Sequence, residues 1–231
     1  MKIFLPILTF IILFSVNVVF AGTVIDCPYP STKKIDGLLD GWDVNSFTHI
    51  PHDKGPLPGK NDNEISCDFA TAADDNYLYV IAIIRADKLV YGKMNDYTED
   101  SLEIYIGANN SKTEYYEKGE VQIGIPAINI DLRNVQNPKL YGIEGGENTG
   151  TRVVAVKSEN GWIVEAAIPL SNTNWEIKPA VGKRIGFNLQ VNGNDKGTGR
   201  YHQIVWSDLD KDNESWENPT VFGELVFTEK N

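Results

Sequence analysis

Apolar and polar side chains alternate along most of the chain, most clearly at the end of the stretch NDYTEDSLEIYI, residues 95–106. The apolar members of this run are Leu102, Ile104 and Ile106. The polar or amphipathic members between them are Ser101, Glu103 and Tyr105. A period of two is typical of a β-strand that buries one face. The stretch therefore predicts a strand with a core face and an outward face, entered from a loop that carries Tyr97.

Similar short runs recur to the end of the chain, separated by turn signals such as Asn-Gly and Asp-Asp-Asn. The predicted strands are 65–72, 77–85, 101–106, 114–116, 121–125, 152–157, 162–168, 184–192, 203–206 and 221–227. We find no stretch of ten or more residues with apolar positions at helical spacing. The pattern predicts an all-β fold: a single antiparallel β-sandwich, of jelly-roll or immunoglobulin type, over residues 22–231.

Two segments interrupt this rhythm. Residues 53–63 (DKGPLPGKNDN) are rich in proline, glycine and charge, and residues 127–148 contain Pro138, Gly142 and a Gly-Gly pair. Both are predicted to be long loops, which on a sandwich are often functional.

The first 21 residues are unlike the rest. Lys2 precedes an apolar run over 3–20, and Val19-Phe20-Ala21 suits signal peptidase. The segment predicts a signal peptide, residues 1–21, cleaved after Ala21, with an uncleaved membrane anchor as the alternative. The mature protein is then expected to be secreted, either extracellular or periplasmic, with no membrane contact after cleavage.

Charge narrows the class of partner. The chain has 21 Lys and Arg against 32 Asp and Glu, and removal of the segment with Lys2 leaves 20 − 32 = −12. A surface this acidic repels phosphate backbones, so nucleic acid is not an expected partner. Neutral ligands and divalent cations remain.

The two cysteines, Cys27 and Cys67, belong to no CxxC motif. In an exported chain the default expectation is one disulfide, joining the N-terminal segment to an early strand.

Motifs for catalysis are absent from the sequence: it contains no GxSxG, HExxH or P-loop. His49 and His52 lie three residues apart and are expected to be ordinary loop histidines. The many carboxylates leave a glycoside hydrolase pair open as an alternative, but nothing in the sequence selects two of them.

An acidic segment near the C terminus, WSDLDKDNESWENP (206–219), suggests a cation site. Its alternating carboxylates are Asp208, Asp210, Asp212 and Glu214. Carboxylate oxygens are the ligands that Ca²⁺ prefers, so the segment is a candidate structural calcium site, although it does not match an EF-hand.

A row of amides gives the sharpest functional signal. In RIGFNLQVNGND (184–195) the apolar residues alternate with Asn188, Gln190 and Asn192, which share the opposite face of the predicted strand. Amides both donate and accept hydrogen bonds, as sugar hydroxyls do, and Glu103 adds a charged acceptor on its own outward face. Sugar rings also pack their apolar faces on Tyr and Trp.

Seven segments in order resemble family 9 carbohydrate-binding modules, best known as appendages of secreted xylanases. They are KIDGLLDGWD, DDNYLYVIAII, NDYTEDSLEIYI, NNSKTEYYEKGEVQ, NGWIVEAAIPL, GFNLQVNGND and WSDLDKDNESWENPTVFGEL. The resemblance implies a β-sandwich with structural calcium and no catalysis. It also implies that a sugar, often a reducing chain end, lies between Tyr97 and Trp216, with contacts from Glu103 and Gln190.

The sequence departs from that family at three positions. Tyr97 replaces a Trp of the best-known member, while Gly124 and Pro126 stand where it uses Arg and Asn as polar contacts. Arg133 and Arg152 are the candidates to substitute for the missing cation.

The leading hypothesis is a non-catalytic protein that binds neutral polysaccharide or oligosaccharide of xylan or glucan type, beside secreted glycoside hydrolases. Two alternatives remain: a glycoside hydrolase, and a haem-binding electron-transfer module that uses Met94 and His202.

Overall fold

The computed structural model describes residues 22–92, 96–131, 137–197 and 199–230. Its strands are β1 Val24–Tyr29, β2 Thr48–Ile50, β3 Ile65–Ala73, β4 Tyr77–Ala86, β5 Ser101–Gly107, β6 Glu120–Pro126, β7 Tyr141–Ile143, β8 Arg152–Ser158, β9 Gly161–Pro169, β10 Arg184–Gly193, β11 His202–Val205 and β12 Gly223–Glu229. The helical segments in these ranges are 3-10 turns at Val44–Ser46, Ala127–Asp131, Gly146–Asn148 and Pro219–Val221. None of the helical segments so described is long and apolar enough to cross a membrane.

Two sheets form the molecule. One has the order β1-β12-β10-β5-β6-β7, with β11 also paired to β10, and the other has the order β2-β3-β4-β9-β8. Neighbouring strands are antiparallel, apart from the parallel pair β1–β12. The predicted all-β sandwich is therefore confirmed.

The core lies between the two sheets. Leu102, Ile104 and Ile106 of β5 point into it, as the alternation predicts. Phe187 of β10 stacks on Phe69 of β3, with ring centroids 6.3 Å apart, so aromatic packing joins one sheet to the other.

Most predicted strands are present, with ends shifted by one or two residues. Residues 114–116 are an exception, because they lie in a loop where Tyr116 packs edge-on against Phe222. Strands β1, β2 and β7 were not predicted. They are short or carry little alternation, and their pairing partners in β12, β3 and β6 determine them.

The outward face of the larger sheet is shielded from solvent at β5, at β6 and along most of β10. Every residue of β5 is buried, as are Asn188, Gln190 and Asn192 of β10. Loops cover this part of the face, so the outward side chains of these strands form an interior polar layer. Its side chains must find hydrogen-bond partners inside the protein.

The predicted disulfide is wrong. Cys27 and Cys67 are free thiols, fully buried in the hydrophobic core. Burial raises the pKa of Cys27 to about 12 and that of Cys67 further still, because an apolar environment disfavours the thiolate. Here the cysteines act as small apolar core residues.

Candidate functional site

One pocket of about 500 Å³ lies over the outward face of the larger sheet. Its lining residues are Tyr97, Glu103, Tyr105, Gln122, Ile143, Arg200, Asn213 and Trp216. Three of the residues proposed from the sequence, Tyr97, Glu103 and Trp216, therefore meet in one place.

The two aromatic rings are exposed although their backbones are held. Tyr97 is 49% exposed and Trp216 is 44% exposed. Next to Tyr97, the carbonyl of Thr98 accepts a hydrogen bond of 2.8 Å from Asn194 Nδ2. Next to Trp216, the carbonyl of Ser215 accepts one of 2.6 Å from the Tyr116 hydroxyl. These tethers hold both rings ready for contact with a ligand.

Glu103 forms the floor of the pocket and is only 1% exposed. Its Oε2 accepts hydrogen bonds from the Tyr105 hydroxyl at 2.6 Å and from Gln190 Nε2 at 2.8 Å. Its Oε1 accepts one from the Tyr141 hydroxyl at 2.9 Å. Three donors compensate the buried charge and fix the direction of the carboxylate.

Both tyrosines remain donors at Glu103. Burial and the neighbouring Glu103 charge hold the pKa of Tyr105 and that of Tyr141 well above the usual range. A phenol that keeps its proton donates to a carboxylate and cannot compete with it as a base.

Two members of the amide row belong to this network rather than to the pocket wall. Gln190 also donates to Asn192 Oδ1 at 3.1 Å, and Asn192 Nδ2 donates to Ser101 Oγ at 3.1 Å. Within the described part of the chain, Gln190 Oε1 has no hydrogen-bond donor. A buried acceptor without a donor suits a water molecule below a polar ligand.

The third amide lies elsewhere. Asn188 Oδ1 accepts from the backbone N–H groups of Leu189 and Ser207, both at 2.9 Å. Its Nδ2 donates to Ser215 Oγ at 2.7 Å and to Asp210 Oδ2 at 3.2 Å. All four of its hydrogen bonds are internal, so Asn188 supports the loop that carries Trp216 and has no group left for a sugar.

Tyr141, which the sequence analysis did not identify, explains why position 124 is a glycine. Gly124 pairs with Glu103 on one side and with Tyr141 on the other, and the Tyr141 ring crosses over it to reach Glu103. A side chain at position 124 would overlap that ring. Tyr141 thus places a hydroxyl on Glu103 from the adjacent strand β7, across a position that must lack a Cβ.

A cation is present in the pocket, but from another segment than expected. The Arg200 guanidinium lies 5.4 Å from the centroid of the Tyr97 ring and donates to Asn192 Oδ1 at 3.3 Å. Arg152 is in the opposite sheet, over Tyr77, and Arg133 lies outside the described residues.

Some of the site residues that the sequence analysis did not identify could have been found from strand alternation, and others could not. Tyr105 and Gln122 share the strand faces that point toward Glu103, so extending the alternation to both strands would have found them. Arg200 and Asn213 lie in loops, and Tyr141 lies in a strand too short to show a period. Only the fold brings these three to the pocket or its floor.

The acidic segment does not assemble as predicted. Asp208 pairs with Lys54 Nζ at 2.9 Å, Asp212 is exposed, and Glu214 Oε2 accepts from Asn218 at 3.0 Å. Asp210 is fully buried, where its Oδ1 accepts from the Glu214 backbone N–H at 2.7 Å and its Oδ2 from Ser215 and Asn188. The four carboxylates have separate partners, and these residues do not fit a shared calcium ion.

The histidines occupy two other places. His49 and His52 both contact Asp62, which lies in the 53–63 loop, at 3.3 and 2.7 Å. His202 lies 3.1 Å from Asp195 and 3.7 Å from Glu64. Met94, its partner in the haem alternative, lies outside the described residues.

Comparison with known proteins identifies a family for this chain. Residues 35–230 match the family described as carbohydrate family 9 binding domain-like. The chain is 36% identical to endo-1,4-β-xylanase A of Thermotoga maritima over 196 residues, 84% of this chain and 17% of the enzyme. It is 33% identical to exoglucanase XynX of Acetivibrio thermocellus over 206 residues, 86% of this chain and 17% of that protein.

A solved structure shares the fold. A family 9 carbohydrate-binding module of Caldicellulosiruptor kristjanssonii, in complex with cellotriose, has a TM-score of 0.73 and 24% identity. The similarity covers 90% of this chain and 95% of that one. This chain spans only about a sixth of the curated relatives named above, and it matches the binding domain. The chain therefore belongs to the carbohydrate family 9 binding domain-like family, as a non-catalytic carbohydrate-binding module.

Proposed function

We propose that the pocket binds the end of a neutral β-linked glucan or xylan chain. The observation that carries this proposal is the convergence of two exposed aromatic rings, Tyr97 and Trp216, on a carboxylate held by three internal donors. The apolar faces of a sugar ring stack on the aromatic residues, and its hydroxyls donate to Glu103.

The neighbouring polar groups extend this recognition. Arg200 donates to ring or hydroxyl oxygens from beside Tyr97, while Gln190 and Asn192 hold Glu103 and Arg200 in position. The module from Caldicellulosiruptor kristjanssonii has been solved with cellotriose and with glucose, which supports a glucose-type sugar at this site.

Export is part of the same proposal. Residues 1–21, outside the described part of the chain, are proposed to act as a signal peptide. The mature domain would then meet plant-type polysaccharide outside the cell, next to secreted glycoside hydrolases. The matched relatives named as xylanase and exoglucanase support that setting.

Isothermal titration with cello- and xylo-oligosaccharides tests the proposal. Trp216→Ala and Tyr97→Ala are each expected to weaken binding by about tenfold or more, since stacking and buried area together contribute more than about 1.4 kcal/mol. Tyr115→Ala is the matched control, because Tyr115 is 65% exposed and does not line the pocket.

A chain-end preference is tested with the same sugars after borohydride reduction of the terminal ring. Reduction is expected to abolish binding if the pocket holds a closed reducing-end ring. Equal binding of native and reduced sugars would contradict a preference for the reducing end alone. The absence of heat with every oligosaccharide, from a folded protein, would contradict the sugar site itself.

A further inference from the structure

Three side chains form a buried cluster of metal-ligating type. Glu64 precedes β3, Asp195 follows β10, and His202 begins β11. One ligand atom from each lies within 4.8 Å of the other two. The side chains of Glu64, Asp195 and His202 are only 10%, 8% and 4% exposed. None of the three lines the sugar pocket.

The spacing of the ligand atoms suits one small ion. His202 Nε2 lies 3.1 Å from Asp195 Oδ2 and 3.7 Å from Glu64 Oε1. Ligands bound to zinc at about 2.0–2.2 Å stand roughly 3–3.6 Å apart around the metal. The observed distances are close to that range without rearrangement of the backbone.

The surroundings of His202 favour a positive centre. Its Nδ1 lies 3.3 Å from the carbonyl oxygen of Pro58, which can only accept, so a proton on Nδ1 would satisfy this contact. The other ring nitrogen, Nε2, then faces two carboxylate oxygens. Three electron-rich atoms in a buried space are mutually repulsive unless a proton or a cation lies among them.

The Lys60 charge does little to neutralise the cluster, and the nearby Asp100 carboxyl interacts with Asp195 without neutralising it. Lys60 Nζ lies 3.5 Å from Glu64 Oε1, but that side chain is 83% exposed and screened by water. With a proton on Nε2 the cluster keeps a net charge of −1. With a divalent ion and a neutral imidazole the charges sum to zero, which favours the metal-bound form in a buried place.

We infer that Glu64, Asp195 and His202 form a site for a divalent first-row transition ion, with Zn²⁺ as the reference. One imidazole nitrogen with two carboxylate oxygens suits zinc, whereas Ca²⁺ takes six to eight oxygens. Glu64 leads into the smaller sheet, while Asp195 and His202 flank a loop of the larger one. A bound ion therefore links the two sheets and stabilises the folded state.

The test uses the full mature domain after treatment with EDTA and dialysis. Zn²⁺ is titrated by calorimetry, and thermal unfolding is followed with and without the ion. The expected result is one binding site and a higher unfolding temperature with Zn²⁺. His202→Gln, Asp195→Asn and Glu64→Gln are each expected to weaken Zn²⁺ binding by at least about tenfold.

The double variant His49→Gln, His52→Gln is the matched control, because it removes the other two histidines and changes none of the three cluster residues. It should bind Zn²⁺ as the parent does. Circular dichroism identifies any variant that fails to fold. Glu64→Gln changes the most exposed of the three positions, so this variant is expected to fold and to give a binding result even if the other two do not. Loss of binding in the double variant, no response to Zn²⁺, or a response to Ca²⁺ alone would each overturn the assignment.

Discussion

At the scale of single residues, the pocket depends on a carboxylate and a missing side chain. Glu103 is tolerated as a buried charge because Tyr105, Tyr141 and Gln190 all donate to it. Tyr141 reaches it only because Gly124 leaves room. Gly124 therefore lacks the polar side chain of the best-known family member, but it makes room for the Tyr141 hydroxyl, which donates to Glu103 from the next strand.

Gly124→Ala is expected to destabilise the fold by about 1–3 kcal/mol, since its methyl group would displace the Tyr141 ring and one donor to Glu103 would be lost. Sugar affinity should fall as well. Chemical denaturation and calorimetry would measure the two effects. Gly107→Ala is the control in the neighbouring strand, where a Cβ makes only ordinary contacts, at 3.5 Å or more. Equal stability of the two variants would contradict this account of position 124.

At the scale of elements, the loops on one sheet bring the site together. The loop before β5 carries Tyr97, the β10–β11 loop carries Arg200, and the segment after β11 carries Trp216. Asn188 and Asp210 hold the last of these from below. The 53–63 loop packs behind β11, where Leu57 forms a bridge with Gln203.

Asp62 fixes that loop and makes it sensitive to acid. Hydrogen bonds from His52, backbone and ring, lower the pKa of Asp62 from its usual value to about 2, and the charge of His49 adds to them. A depressed carboxyl pKa contributes stability that is present above about pH 4 and is lost as the pH falls toward 2.

Asp62→Asn is therefore expected to lower stability at neutral pH and to flatten its decline between pH 4 and 2. Thermal unfolding of both proteins across this range measures the effect. Asp53→Asn serves as a charge-matched control in the same loop. Parallel pH profiles for the parent and Asp62→Asn would show that the loop does not depend on this carboxylate.

At the scale of the whole molecule, packing in the core holds the sandwich together, and no disulfide joins Cys27 to Cys67. Both thiols pack among the core side chains. The stability of the domain comes mainly from apolar burial between the two sheets.

A thiol reagent that absorbs on reaction should detect no cysteine in the native protein at pH 8 and two after denaturation, since burial and a raised pKa suppress the thiolate. Dithiothreitol should leave the unfolding temperature unchanged. A lower unfolding temperature in the reductant would instead indicate a disulfide.

The sequence by itself determined the architecture of this protein. A strand buries every second side chain, so the alternation that predicts β3, β4, β5, β9 and β10 is a local pattern in short stretches of sequence. Glu103 was found from the same alternation, whereas Tyr97 and Trp216, which lie in loops, were assigned from the resemblance of their local segments to family 9 modules.

Only the tertiary structure decided what the outward face became. Strand alternation says that Asn188, Gln190 and Asn192 share a side, but loops distant in sequence determine whether water, protein or ligand meets them. The reach of Tyr141 over Gly124, the position of Arg200 and the cluster of Glu64, Asp195 and His202 depend on contacts between strands and loops far apart in the chain. Such contacts have no signature in a window of neighbouring residues, since they form only when the two sheets pack.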